Sequence, residues 1–123
     1  MKSHSIQKIS EIFHENTTDN KFVEQTKQQI AKDASGLCDV PNFEIDFEKP
    51  LIGQFVDWID AIQQSIRDSG NTADQFYYIV DLPEKEVRKI QFDSSNTLSE
   101  LILYREAQKV YLRNTFSSNT RLE

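Results

Sequence analysis

Between Pro50 and Gly70 the apolar residues fall on one side of a helix. Ile52, Phe55, Val56, Ile59, Ile62 and Ile66 recur at three- and four-residue steps, widened by Leu51 and Trp58. Gln54, Asp57, Asp60, Gln64 and Asp68 take the opposite side. That period specifies an amphipathic helix. Pro50 suits the first turn, where its missing N–H has no partner to lose, and Gly70 suits the exit. This helix is expected to be the spine of the core.

Weaker stripes flank it. Ile6, Ile9 and Phe13, with Ile12 beside them, predict a helix over 5–15, and Thr17 to Asn20 form a polar break rich in helix-capping residues. Phe22, Thr26 and Ile30, beside Val23, predict a second helix over 20–34 that stops near Gly36, so the two read as a helical hairpin. Asp81-Leu82-Pro83-Glu84 is a helix-start signal, with Val87 and Ile90 on its buried side. Thr97 and Glu100 form a capping box that opens the last helix, over 98–115. Leu98 and Leu101 to Tyr104 make its first half apolar nearly all round, which predicts deep packing. Lys109 and Arg113 near its end complement the helix dipole.

Two segments suggest strands. Phe43-Glu44-Ile45-Asp46-Phe47, between Pro41 and Pro50, alternates apolar and acidic residues with period two. Phe76-Tyr77-Tyr78-Ile79-Val80 is aromatic and β-branched, although Thr72 with Gln75 three later also fits a helix start. Read as strands, they pair through a right-handed β-helix-β crossover. The fold class is therefore mainly α, α+β at most: about five helices around one core, with two short strands near 43–47 and 76–80. A single globular domain is expected over 1–116, with a frayed polar tail over 117–123.

Composition narrows the function. The chain has 123 residues, a length that fits one domain. Three Gly and three Pro disfavour a turn-rich sandwich, and clustered apolar residues, with eight Phe among them, disfavour disorder. The single Cys38 cannot form an internal disulfide. Met1 to Ser10 lacks the apolar run of a signal peptide, and no stretch approaches the length of a membrane span. A cytoplasmic location, with no membrane partner, is the expectation.

The net charge of −6 disfavours a nucleic-acid backbone as partner. It is also uneven. Residues 39–81 carry nine acids and two bases, whereas 82–121 carry five acids and seven bases. Glu44, Asp46, Asp57, Asp60 and Asp68 are the candidate contacts for a basic protein partner. Arg105, Lys109 and Arg113, at four-residue steps beside Tyr104, are the candidate contacts for an anion or ligand; the plainer reading is a solvated face, or one that docks the chain's own acids.

No catalytic or metal site is assigned, and no cofactor is expected. Glu11 and His14 have the Glu-x-x-His spacing of di-iron bundles, but such a site needs two such motifs, and His4 is the only other histidine. Cys38 lacks an evident base and reads as a small apolar residue. Phosphate-loop, nucleophile-elbow and Cys-x-x-Cys patterns are missing. The reading that fits best is a non-catalytic, inhibitor- or adaptor-like interaction domain. The alternatives are a small enzyme or ligand binder with a pocket between the long helix and the last one, lined by Tyr77, Tyr78, Tyr104 and Arg105, and a homo-oligomeric structural subunit.

Overall fold

The computed structural model describes residues 10–92 and 97–121. They form six helices, and among the described residues there is no strand. Helix α1 covers 10–15, and its expected start at residue 5 lies outside the described residues. Then come α2 (Asn20–Ala34), α3 (Leu51–Asp68), α4 (Ala73–Val80), α5 (Glu84–Phe92) and α6 (Leu98–Arg121). Helix α6 continues past the expected end at 115.

Local signals explain the boundaries. Asn16 turns back to close α1, its side-chain amide donating to the Ile12 carbonyl at 2.7 Å. Asp19 caps α2 by accepting from the Phe22 N–H at 3.2 Å. Helix α3 ends in a Schellman turn: Gly70 donates to Arg67, Asn71 donates to Ile66, and Gly70 takes φ +87°. Helix α4 ends in the same two bonds, from Asp81 to Tyr78 and from Leu82 to Tyr77. There Asp81 holds the left-handed conformation, with φ 70°, a region that Asp tolerates better than most residues.

The core is one cluster to which every helix from α1 to α4, and α6, contributes. Phe55, Ile59, Ile62 and Ile66 of α3 are fully buried, as the pattern predicts. Phe13 of α1 packs edge-on against Phe55 with ring centroids 5.7 Å apart. The helix that meets most of the others is α6, which packs on α2, α3, α4 and α5. Its run from Leu101 to Tyr104 is buried on all sides, so the spine of the fold is α6, with α3 as one of its walls.

The two expected strands are corrections. Residues 76–80 belong to α4. A strand would bury alternate residues 76, 78 and 80; the fold buries Phe76, Tyr77 and Val80 and leaves Tyr78 86% exposed. Thr72 and Gln75 form a reciprocal capping box, and local capping prevails over the strand preference of the side chains.

Residues 43–46 have no regular secondary structure, Phe47 enters a turn closed by the Lys49 N–H donating to the Asp46 carbonyl at 3.2 Å, and among the described residues there is no strand to pair with, so the β-helix-β crossover is absent as well. The segment from Leu37 to Asp46 instead lies as a strap along α3, in the opposite direction. Side chains of α3 and its exit form the ladder: Asn71 donates to the Leu37 carbonyl, Ser65 to Asp39, Trp58 to Pro41 and Gln54 to Asp46, at 2.8 to 3.1 Å. Gln54 also accepts from the Asp46 N–H at 2.9 Å. The period-two pattern holds over four of its five residues: Phe43 and Ile45 face the core and Glu44 and Asp46 face water, whereas Phe47, in the turn, is exposed. Phe43 stacks on Trp58, with centroids 4.7 Å apart.

Two stability measurements check this packing. Ile59→Ala is expected to cost about 2–5 kcal/mol in denaturant unfolding, because the site is fully buried. Gln54→Ala is expected to cost about 1–2 kcal/mol by releasing the lower strap, whereas Gln64→Ala on the exposed side stays near zero.

Candidate functional site

Two groups of charged residues separate in the structure: a polar seam inside the helical bundle and an acidic face outside it.

The seam runs between α2 and α6. Arg113 donates to Gln29 at 2.7 Å, Gln29 donates to Asp33 at 3.1 Å, and Lys109 donates to Asp33 at 3.0 Å and to the Ile79 carbonyl at 3.2 Å. One turn back, Arg105 grips Asp81 twice, through its carboxylate at 2.9 Å and its carbonyl at 3.2 Å. Arg105, Lys109 and Arg113 thus tie α6 to α2 and to the end of α4. Tyr104, beside them, is buried, and its ring lies 6.0 Å from that of His14. Burial, reinforced by Glu100, pushes the Tyr104 hydroxyl up from the usual phenol range.

At the centre of the seam is Glu106, which is completely buried. Lys109 Nζ stands 3.0 Å from Glu106 Oε1 as an ion pair and donates hydrogen bonds to Asp33 and Ile79, and among the described residues neither Glu106 oxygen has a hydrogen-bond partner. Burial, and then the Asp33 carboxylate, push the Glu106 carboxyl up to about 9. Burial pushes Asp33 up too, but hydrogen bonds from Glu106 and Lys109 outweigh it and hold Asp33 low.

A second buried chain joins α3, α4 and α6. The Tyr77 hydroxyl donates to Gln63 at 2.9 Å, Gln63 donates to Ser99 at 2.9 Å, and Ser99 donates to Asp60. Asp60 thus caps a structural network from the rim. This network occupies the boundary between α3 and α6 where a ligand pocket was expected. Tyr77 and Tyr78 instead border an open groove of about 440 Å³ between α4 and α5, with Leu82, Val87, Asp74, Glu84 and Arg88. Tyr104 and Arg105 are not among its lining residues. Glu84 pairs with Arg88 across one turn, and the Tyr77 hydroxyl turns inward, so few polar groups converge there.

The acidic face is on α3 and its strap. All nine acids between 39 and 81 are exposed, including Glu44, Asp46, Asp57, Asp60 and Asp68. Asp46 pairs loosely with Lys49 at 3.8 Å, and Asp81 pairs with Arg105. Among the described residues, Glu44, Asp57, Asp60 and Asp68 have no cation within ion-pair distance. Asp68 accepts only from Gln64 of its own helix, at 3.0 Å.

Glu11 and His14 are both exposed, and among the described residues no three His, Cys, Asp or Glu side chains converge as metal ligands would. Cys38 points its thiol at the Ala34 carbonyl, 3.8 Å away. No helix in the described residues is long and apolar enough to cross a membrane.

The described residues thus form a small all-helical domain in which Arg105, Lys109 and Arg113 of α6 bond to α2 and to the end of α4, while the acids of 39–81 are exposed. The chain matches no protein-family model, no curated protein and no solved structure.

Glu106, Asp33, Gln63 and Ser99 were missed in the sequence reading, although two of them left a signal. Glu106 continues the step from Ile102 to Val110, and Gln63 adjoins Ile62 within the α3 stripe. A polar residue at an apolar register position marks a buried partner. The network has a direct test: Gln63→Leu is expected to cost about 1–3 kcal/mol in chemical unfolding by stranding the Tyr77 hydroxyl. Adding Tyr77→Phe recovers part of that loss, seen as a favourable coupling in a double-mutant cycle.

Proposed function

We propose that the protein is a non-catalytic interaction domain that offers the acidic face of α3 and its strap to a basic protein partner. One observation carries this reading. The basic residues of α6 are engaged by Asp33, Asp81 and Gln29, while the other acids of 39–81 point outward, most of them with no cation within ion-pair distance among the described residues. The negative charge left at the surface is therefore concentrated on one part of the chain. Such a field steers a basic partner and selects against acidic ones. Its backing is the strap ladder, in which Gln54 of α3 holds the backbone of Asp46.

The test is capture of a partner from native lysate, then titration of that partner against Asp57→Lys/Asp68→Lys. Asp60 is left intact because it holds Ser99. The double variant is expected to melt like the parent and to bind at least about tenfold more weakly at low salt, mainly through slower association. Equal binding by the variant removes the reading.

A second reading, self-association, is favoured by Tyr111, Leu112 and Phe116, large apolar residues exposed toward the end of α6. Light scattering over a concentration series separates the two, since a monomer at every concentration excludes the second.

A further inference from the structure

We propose that Asp33, Glu106 and Lys109 form a proton latch: one proton kept on the buried Glu106 carboxyl, which shares Lys109 with Asp33, holds the C-terminal half of α6 on α2 and on the end of α4, and its loss in alkali frees that half. This inference is independent of the proposed partner.

The argument begins with geometry. Two carboxyls and one ammonium meet in a seam where Glu106 is fully buried and Asp33 and Lys109 are mostly so. With both carboxyls ionised, the site would hold a net negative charge out of water, at a cost far above that of binding a proton. The hydrogen bonds decide where the proton sits. Asp33 accepts from Gln29 and Lys109, whereas Glu106 accepts from nothing. Asp33 is therefore the anion, and Glu106 is the acid that can donate to it. The rise of Glu106 to about 9 agrees with this placement.

The surrounding elements supply no competing charge. The charged groups acting on Glu106 are Asp33 of α2 and Lys109 of α6 itself. Helix α4 contributes the Ile79 carbonyl, and Asp81 at its end is held by Arg105. Among the described residues the one acid of α3 bonded to α6 is Asp60, at Ser99 two turns away, and Glu84 and Arg88 of α5 pair with each other. His14 of α1 lies against Tyr104, Arg113 is bonded to Gln29, and the Cys38 thiol rests on the Ala34 carbonyl.

Position explains why the release is local. Before Glu106, α6 is enclosed from Leu101 to Tyr104. Beyond it, Ala107 and Val110 are buried, residues 111–116 are exposed, and the ties to α2 are Lys109, Arg113 and Asn114. Water can reach an ionised Glu106 most readily by parting this outer half. In linkage terms, Glu106 has a folded pKa raised above its unfolded value. Its contribution is fully present below the ordinary carboxyl range and is lost as pH rises through about 9.

The first measurement is a carboxyl carbon NMR titration of the native chain. Glu106 is expected to titrate near 9, and titration in the ordinary range near 4 overturns the proposal. The second is chemical unfolding from pH 5 to 9 for the native chain and Glu106→Gln, which keeps the shape but carries no titrating proton. The native folding constant should fall about tenfold per pH unit relative to the variant. Parallel curves overturn the latch. Amide exchange places the opening: at alkaline pH, protection should be lost over 107–116 before 55–66, and simultaneous loss removes the local release. Should Glu106→Gln fail to fold, the native titration and exchange still decide.

Discussion

A helix enclosed by its neighbours must find a partner inside the molecule for every polar group it carries. That constraint on α6 organises this fold. Ser99 meets Asp60 and Gln63, Arg105 meets Asp81, Lys109 meets Asp33, and Arg113 meets Gln29. The apolar run from Leu101 to Tyr104 drives the enclosure, since burying four large side chains in succession leaves α6 no solvent side there. The polar pairs then fix register. An unpaired donor in the interior costs about 1–3 kcal/mol, so sliding α6 against α2 by one turn would strand several at once. Apolar burial holds the bundle together, and the seam selects one arrangement of it.

How much of this could be read from the sequence depends on the range of the interaction. The helices that arise from a local period are legible: α3 from its isoleucine stripe, α2 from Phe22, Thr26 and Ile30, and α6 from its capping box and apolar start. The strap is half legible. Alternation in 43–47 correctly assigns Phe43 and Ile45 inward and Glu44 and Asp46 outward. It cannot say whether the backbone is satisfied by another strand or by Gln54, Trp58 and Ser65. Those donors are spaced along α3 at intervals that resemble any exposed helix face. In α4 the competing signals were both present at 72–80, and the capping box was the informative one. A strand there would have needed a partner, and 43–47 was already held on α3.

The seam was the least legible part. Asp33 and Lys109 are 76 residues apart, and nothing local to either announces the other. The basic stripe of α6 has the spacing of a ligand-binding or solvated face, and sequence alone does not tell these from internal docking. Glu106 is different, because it occupies a register position between Ile102 and Val110 that the period reserves for the core. A carboxyl in such a place implies either a cation or a proton. The structure supplies Lys109, which two carboxyls share, and one cation for two buried acids is the observation on which the proposed proton rests.

The same internal pairing shapes the surface. Each cation of α6 that turns inward is one fewer to neutralise the exterior, and the acids it meets are chiefly Asp33 and Asp81 rather than those of α3. The outer charge of α3 and its strap is therefore a consequence of how the core is locked. Adding charge to α3 would leave the seam intact, because its ladder to the strap uses Gln54, Trp58 and Ser65, none of which is ionised at neutral pH. Asp57 and Asp68 can therefore vary without disturbing the core, whereas Asp60, which holds Ser99, and the basic stripe cannot.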